Sequence, residues 1–310
     1  MLKKIVFMGT PFFAVPILKS LYQNGYPISV VYTQSPKKSQ RGQGINKSPI
    51  QGISETLNIE CRAPDSLKNN KEEYEYLKNL DPDIAIVVAY GQIIPKEFLS
   101  LTKKGFINIH ASLLPKWRGA APIQRSIMNL EKETGVSVMK IGEKLDTGPV
   151  CNSYKIEIAD NDNAETISEK LSLLAAKKIL DNIDDILEDK IEFKEQNHSE
   201  ATYAFKIDKS ESQIKWDDSA ENIIGKINGL YPNPGAFFVY KGERYKILKA
   251  ELALGVGKIG DVLDDYLQIS CGNKKSIKVI YIQRQGKRTQ NINEFIVGSQ
   301  MKKGTNLNNA

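Results

Sequence analysis

Short apolar runs alternating with amphipathic stretches constrain this chain more than any other feature. The run from Ile84 to Ala89 contains no polar side chain. Strands that are apolar on both faces are typical of a mainly parallel sheet covered by helices on each side. The sequence therefore predicts an α/β, Rossmann-like N-terminal half. Its predicted strands are Lys3 to Met8, Ile28 to Thr33, one near Ile59, Ile84 to Ala89, Phe106 to Ile109, Gly135 to Ile141 and Val150 to Ile158.

Helices are predicted between these strands and after the last of them. The longest is amphipathic from about Ala164 to Asp189, with Asn163 as its cap. Ligands of open parallel sheets bind beyond the carboxyl ends of the strands, so the loop after Ile109 is the expected site. The other predicted helices are Pro11 to Tyr22, Pro49 to Leu57, Leu67 to Leu80 and Ala121 to Leu130.

The C-terminal part of the chain changes character. A helix from Ala220 to Leu230 is followed by about five short β runs with Gly-rich turns, a pattern typical of a small OB-like β-barrel. The tail after Val297 is expected to fray. We predict a catalytic domain over 1–189, a linker over 190–206 and a second domain over 207–310. The β runs are Ala236 to Tyr240, Tyr245 to Leu252, Gly260 to Leu263, Leu267 to Cys271 and Ile277 to Gln283.

Positive charge is concentrated in the second predicted domain. Residues 206–310 hold 17 Lys and Arg against 11 Asp and Glu, whereas residues 1–205 hold 26 of each kind. A basic domain joined to a neutral one indicates a protein whose second domain meets a polyanion such as nucleic acid. Chance surface composition is the alternative interpretation.

The sequence lacks the features of membrane-spanning, secreted, dinucleotide-binding and metal-dependent proteins. The apolar runs are too short to span a membrane, the N-terminus has no signal-peptide core, and the three cysteines are scattered. A reducing, cytoplasmic location is therefore expected. The turn at Gly9 lacks the further glycines of a dinucleotide site, and no P-loop, H-E-x-x-H or Cys/His cluster occurs. Chemistry by ordinary side chains, without a metal, is predicted.

Asn108, His110 and Asp146 form the candidate catalytic set. His110 is one of two histidines and follows a predicted buried strand. Asn108 lies two residues earlier and therefore points to the same face of that strand. An amide and an imidazole could stabilise the negative charge that develops when an amine attacks a carbonyl, and Asp146, at a predicted hairpin turn, could partner His110 and accept a proton. Structural roles at a strand end and a turn are the alternative interpretation.

The surrounding motifs resemble the methionyl-tRNA formyltransferase family. They begin with Gly9-Thr-Pro11 and end with Tyr231-Pro-Asn-Pro-Gly235, so that the resemblance covers essentially residues 1–300. Between these lie Val87-Val-Ala-Tyr-Gly91 with Ile94-Pro95, Asn108-Ile-His110-Ala-Ser112-Leu-Leu-Pro115, Trp117-Arg-Gly-Ala-Ala-Pro-Ile-Gln-Arg125 and Leu145-Asp-Thr-Gly148. The N-x-H-x-S-L-L-P and L-D-T-G elements are shared with formyltransferases for glycinamide ribonucleotide and amino sugars.

The resemblance implies transfer of formyl from 10-formyltetrahydrofolate to the amine of initiator methionyl-tRNA, for translation initiation. It implies Asn108, His110 and Asp146 as catalytic residues, and folate contacts at Ser112, Leu113, Leu114 and Pro115. The W-R-G-A-A-P-I-Q-R run and the basic second domain favour the tRNA acceptor. A formyltransferase for a nucleotide-sugar amine and a tRNA-binding protein with an inactive site are the alternatives. A monomer without membrane contact is expected.

The loop from Gln34 to Pro49 contains four basic residues, several of them near glycines, and no acidic residue. A flexible surface loop is the alternative interpretation, but such basic segments can order on nucleic acid, and in the similar family a loop here contacts the acceptor arm. The predicted tRNA-binding residues are Lys37, Lys38, Arg41 and Lys47. Two departures from the family pattern occur, Phe205 in place of Glu and Lys144 in place of Gly.

Overall fold

The computed structural model describes residues 3–38 and 45–308. Contacts divide the chain into two compact units that interleave along the sequence. The first comprises Met1–Gly119, Gly135–Ile156 and Ser168–Tyr203, and the second comprises Ala120–Thr134, Glu157–Ile167 and Ala204–Ala310. The predicted limits of the domains and linker remain a prediction.

The described strands and helices follow the predicted order closely. The strands are β1 (Ile5–Gly9), β2 (Ile28–Tyr32), β3 (Lys37–Lys38), β4 (Ile45–Asn46), β5 (Cys61–Arg62), β6 (Ile84–Val88), β7 (Phe106–His110), β8 (Arg118–Gly119), β9 (Glu133–Lys140), β10 (Val150–Glu157), β11 (Tyr203–Ala204), β12 (Phe237–Tyr240), β13 (Glu243–Ala253), β14 (Gln268–Ser270), β15 (Ser276–Arg284) and β16 (Gln290–Asn291). The helices are α1 (Val15–Gln23), α2 (Pro49–Thr56), α3 (Lys71–Leu80), α4 (Pro122–Met128), α5 (Ala164–Leu187), α6 (Ala220–Gly229) and α7 (Ile292–Gly298).

A seven-stranded, mainly parallel sheet forms the first unit, in the order β10-β9-β7-β6-β1-β2-β5. The pairs β1–β2, β1–β6, β2–β5 and β6–β7 are parallel, and β7–β9 is antiparallel. Strands β1 and β6 are buried along their whole length, which agrees with their apolar composition. The predicted α/β class is confirmed.

The direction of chain travel reverses between β1 and β6, because β2 and β5 extend the sheet on one side of β1 and β6 extends it on the other. Ligands of open α/β sheets bind in the crevice at such a point. Two loops at this edge are tied together, since the Thr10 hydroxyl donates to the Tyr90 carbonyl at 2.7 Å. Strand β7 ends at the same edge, one strand beyond β6.

The starts of α3 and α1 differ from the predictions, whereas the cap of α5 agrees with them. Helix α3 begins at Lys71 and not at Leu67, because the Asn70 side chain accepts from the Glu73 backbone amide. Helix α1 begins at Val15, after a separate 3₁₀ turn over Phe12–Ala14. The Asn163 side chain caps α5 as predicted, accepting from the backbone amides of Glu165 and Thr166.

The second unit contains a curled antiparallel sheet. It has the order β12-β13-β15-β14, with β16 also paired to β15. Register shifts within β13, between Ile247 and Ala250, bend this long strand. Helix α6 covers the sheet, and the core includes Trp216, Phe238 and Tyr245. The predicted C-terminal β-rich unit is thus confirmed as an open, five-stranded sheet.

Two predictions for this unit were wrong. The run from Gly260 to Leu263 forms only isolated bridges, through Asp261 and Val262. The tail does not fray within the described residues, because its backbone bonds to this same run: Val262 donates to the Thr305 carbonyl at 2.8 Å. Met301 and Leu307 are buried, and their burial explains why a Gly-, Lys- and Asn-rich tail is held in place.

Candidate active site

The structure brings Asn108, His110 and Asp146 together at the carboxyl end of β7. Asn108 Nδ2 lies 3.5 Å from Asp146 Oδ1, and His110 Nδ1 lies 3.8 Å from Asp146 Oδ2. Asn108 and His110 are two residues apart on β7, so their side chains lie on the same face of the strand. Asp146 comes from the loop between β9 and β10. An amide donor, an imidazole and a carboxylate therefore converge, although 38 residues separate Asn108 from Asp146.

The orientation of His110 is set by the backbone. Its Nε2 lies 3.0 Å from the Trp117 carbonyl, which can only accept, so Nε2 carries the hydrogen. Its Nδ1 therefore faces Asp146 with a free lone pair in the neutral ring. The ring is buried, with 6% of its surface exposed.

Asp146 adopts a left-handed backbone conformation, with φ of 49°. Non-glycine residues in this region require support from their surroundings. The Gly119 backbone amide donates to Asp146 Oδ2 at 2.8 Å, and Gln196 Nε2 donates to the Asp146 carbonyl at 3.0 Å. Gln196 was not among the predicted site residues, because it lies in the segment predicted to be a linker.

The loop predicted to contact folate, Ser112 to Pro115, follows β7 directly. Ser112 is fully buried, and its hydroxyl donates to the Lys116 carbonyl at 2.6 Å. That hydroxyl is engaged within the loop, so it is not arranged as a nucleophile. The Leu114 backbone amide donates to Ser137 Oγ at 3.0 Å, and Ser137 Oγ donates to the Ser112 carbonyl at 2.8 Å. Ser137, which sequence reasoning missed, thus holds the loop from β9.

Leu113 and Pro115 complete this loop. The Leu113 side chain packs against Gly135, where a Cβ would lie 2.4 Å from Leu113 Cδ2. The Leu114–Pro115 peptide bond is cis. Leu113 is therefore held by the neighbouring strand β9.

The predicted tRNA-binding residues lie apart from this site in the sequence. Lys37 and Lys38 form β3, which pairs with β4. Lys47 donates to both carboxylate oxygens of Glu55 at 2.8 Å, so part of its charge is already compensated. Arg41 lies outside the described residues. The role of all four residues in tRNA binding stays a prediction.

The two residues that depart from the family pattern, Phe205 and Lys144, accept hydrogen bonds through their main-chain carbonyls. The Phe205 carbonyl accepts from Arg125 Nε at 3.0 Å, and the Lys144 carbonyl accepts from the Thr147 hydroxyl at 3.1 Å. Arg125 also forms a bidentate pair with Glu211, at 2.6 and 2.9 Å. A carbonyl is available whatever the side chain, so these bonds do not depend on Glu or Gly at the two positions.

The thiols are not prepared for nucleophilic or metal chemistry. Burial raises the pKa of Cys61, Cys151 and Cys271 to about 11, so each is a neutral thiol near pH 7. Among the described residues, no three of His, Cys, Asp and Glu converge in the manner of a metal site. In the described ranges, no helix has the length and apolar character needed to cross a membrane.

Comparison with known proteins identifies the family of the chain. Residues 3–183 match the formyl transferase family, and residues 206–300 match the formyl transferase C-terminal domain. A methionyl-tRNA formyltransferase of Pelagibacter ubique is 73% identical over 309 residues, covering 100% of both chains. Another, of Caldanaerobacter subterraneus, is 41% identical and covers 98% of this chain and 99% of its own.

A solved structure shares the fold at low identity. It is the N-formyltransferase from Helicobacter canadensis in complex with folinic acid and dTDP-3-aminofucose, with a TM-score of 0.67 and 21% identity. The match covers 90% of this chain and 99% of that one. With two domain matches in order and a full-length relative at high identity, the chain belongs to the formyl transferase family.

Proposed function

We propose that this chain transfers the formyl group of 10-formyltetrahydrofolate to the free α-amino group of initiator methionyl-tRNA, giving N-formylmethionyl-tRNA for translation initiation. Formyl transfer from a folate to methionyl-tRNA follows from the family and from the full-length identity of 73%. The 10-formyl form of the donor and the role of each side chain are our proposal. Convergence of Asn108, His110 and Asp146 at one strand end is the observation that carries it.

In the proposed reaction the neutral amine attacks the formyl carbon directly. A carbon–nitrogen bond to methionine forms, and the bond to the folate nitrogen breaks. Asn108 Nδ2 and the protonated His110 Nδ1 would donate to the oxyanion of the tetrahedral intermediate. Asp146 would accept the proton that the amine loses and pass it to the departing folate nitrogen, which regenerates the carboxylate. The buried Ser112 hydroxyl and the neutral thiols support a route without a covalent enzyme intermediate.

The folate would lie against Ser112, Leu113, Leu114 and Pro115. Support comes from their position beside His110 and from the bonds that Ser137 makes to this loop. The tRNA would be bound by the C-terminal unit and by the loop that carries Lys37, Lys38, Arg41 and Lys47. We further propose a monomer that works in the cytoplasm; the free cysteines support the cytoplasmic location.

Acceptor assays test this function. The protein is incubated with 10-formyltetrahydrofolate and, separately, with methionyl-tRNA, uncharged tRNA and a dTDP-amino sugar, and N-formyl product is measured. Formylation of methionyl-tRNA alone is expected. Product on the amino sugar would indicate the rival acceptor, and tRNA binding without product would indicate an inactive site. His110→Ala should fold normally and lose turnover by about 10²–10³-fold, the usual cost of one oxyanion donor.

The basic loop is tested separately with Arg41→Ala. Loss of a phosphate contact should raise the KM for methionyl-tRNA and reduce the dependence of that KM on salt, because fewer counterions are released on binding. The KM for the folate should not change. Equal increases in both KM values would contradict a role confined to tRNA.

A further inference from the structure

Asp146 is held through its main chain by a side chain from far along the sequence. Gln196 Nε2 donates to the carbonyls of Asp146 at 3.0 Å and Gly148 at 2.7 Å. Both hydrogens of one amide group therefore bind the loop that carries the carboxylate. One of the two carbonyls belongs to Asp146, whose backbone is in the left-handed conformation.

The amide of Gln196 can point only one way. Its Oε1 accepts from Arg118 Nε at 3.1 Å and from Arg118 Nη2 at 2.7 Å. A reversed amide would place its NH₂ against the guanidinium and its oxygen against two carbonyls. Arg118 is 2% exposed and Gln196 is 9% exposed, so water does not compete readily for these bonds.

Arg118 is itself fixed, and the same stretch of chain reaches the carboxylate. Its backbone amide donates to the Thr202 carbonyl at 2.9 Å, and its Nη2 donates to His198 Nδ1 at 2.9 Å. The next residue, Gly119, donates its backbone amide to Asp146 Oδ2 at 2.8 Å. Gln196 therefore holds the Asp146 carbonyl, and Gly119, the residue after Arg118, holds the Asp146 carboxylate.

We propose that Gln196, oriented by Arg118, is a positioning residue that sets the place of the Asp146 carboxylate in the reaction. The proposal rests on the proposed role of Asp146 as proton acceptor and His110 partner. Catalytic groups must be held to a fraction of an ångström, and a displacement of about 1 Å can cost about 10²-fold in rate. Gln196 touches no reacting group and acts through the backbone of the Asp146 loop.

Gln196→Glu isolates this role. A carboxylate at this position still accepts from Arg118, and it can no longer donate to the two carbonyls. The variant is expected to unfold at a lower temperature because two carbonyls lose their donor, to stay folded under assay conditions, to lose about 10- to 100-fold in kcat and to keep both KM values within about threefold. Glu195→Gln, the reverse exchange at the exposed neighbouring position, should leave kcat unchanged.

The decisive measurement combines two variants. Because a positioning residue acts through the group it positions, Gln196→Glu should cost little further rate in an Asp146→Asn background. Hydrogen exchange at the Gly119 amide should become faster in Gln196→Glu, because its acceptor is no longer held. An equal loss of kcat in both backgrounds, or unchanged Gly119 exchange, would overturn the proposal.

The failure of the proposed function would look different. If Asp146→Asn alone kept full turnover, the role of Asp146 would be refuted, while Gly119 exchange would still report whether Gln196 positions the loop. Should Gln196→Glu not fold, Gln196→Met, which is similar in length, is measured in the same way, with the same outcomes for exchange and for the double variant.

Discussion

The two loops that form the candidate site are supported from different distances along the chain. The loop at residues 111–117 is held by Ser137, which lies on β9 directly opposite His110 in the sheet register. The loop at residues 141–149 is held by Gln196, 50 residues beyond Asp146. The first support follows from strand pairing, whereas the second depends on tertiary packing. A sheet neighbour can be inferred once the strands are assigned, but a packed neighbour cannot.

Among changes to the two loops, the largest effect is expected from a substitution inside the Asp146 loop that forces it to move. A Cβ at Gly148 would lie 2.0 Å from the Lys140 carbonyl, which belongs to β9 and cannot easily move. Gly148→Ala should therefore shift the loop, lower kcat by about 10²-fold and cost about 1–3 kcal/mol of stability. Steady-state kinetics and thermal unfolding measure the two effects.

Gly142→Ala is the matched control in the same loop. Its Cβ would meet only Gly148 Cα, at an ordinary contact distance of 3.8 Å. This variant should keep its kcat and its thermal midpoint. If the two variants behaved alike, the position of the Asp146 loop would not be critical, and the comparison between the loops would lose its meaning.

A smaller effect, on a different kinetic constant, is expected at the other loop. Ser137→Ala leaves the Leu114 amide and the Ser112 carbonyl without their partner, at a cost of about 1–3 kcal/mol. The KM for the folate should rise by about fivefold or more, with a smaller change in kcat, because 1.4 kcal/mol corresponds to about tenfold in binding.

Ser153→Ala distinguishes loop support from general packing. Ser153 Oγ lies 2.8 Å from Ser137 Oγ, so this change removes only the third contact of Ser137. Its folate KM should stay within about twofold of the unchanged protein. A larger rise than in Ser137→Ala would assign the effect to the strand β10 and not to the folate loop.

The smallest effect is expected at an exposed ion pair on the Asp146 loop. The hydrogen bond between Lys96 and Glu143 lowers the pKa of Glu143 and raises that of Lys96. Both side chains are mostly exposed, at 76% and 65%, so solvent screens their attraction. Glu143→Gln should keep kcat within about twofold at pH 7. A tenfold loss would show that this pair, and not Gln196, holds the loop.

Much of the fold could be predicted because the pattern of buried apolar side chains within one strand or helix is visible in neighbouring residues. The apolar run of β6 and the periodic apolar face of α5 each identify their element from adjacent residues. The start of α3 could not be predicted from apolar periodicity, since it depends on one bond from the Asn70 side chain. The tail was mistaken for a frayed end because its partner, the run at Val262, lies far away in sequence.

The candidate site divides in the same way. The sequence by itself determined that Asn108 and His110 share a face, because side chains alternate along a strand, and its motifs indicated Asp146. Only the tertiary structure decided that His110 presents Nδ1 to Asp146 and that Gln196 holds the Asp146 loop. Local backbone periodicity is encoded in neighbouring residues, whereas a hydrogen bond across 50 residues exists only once the chain has packed.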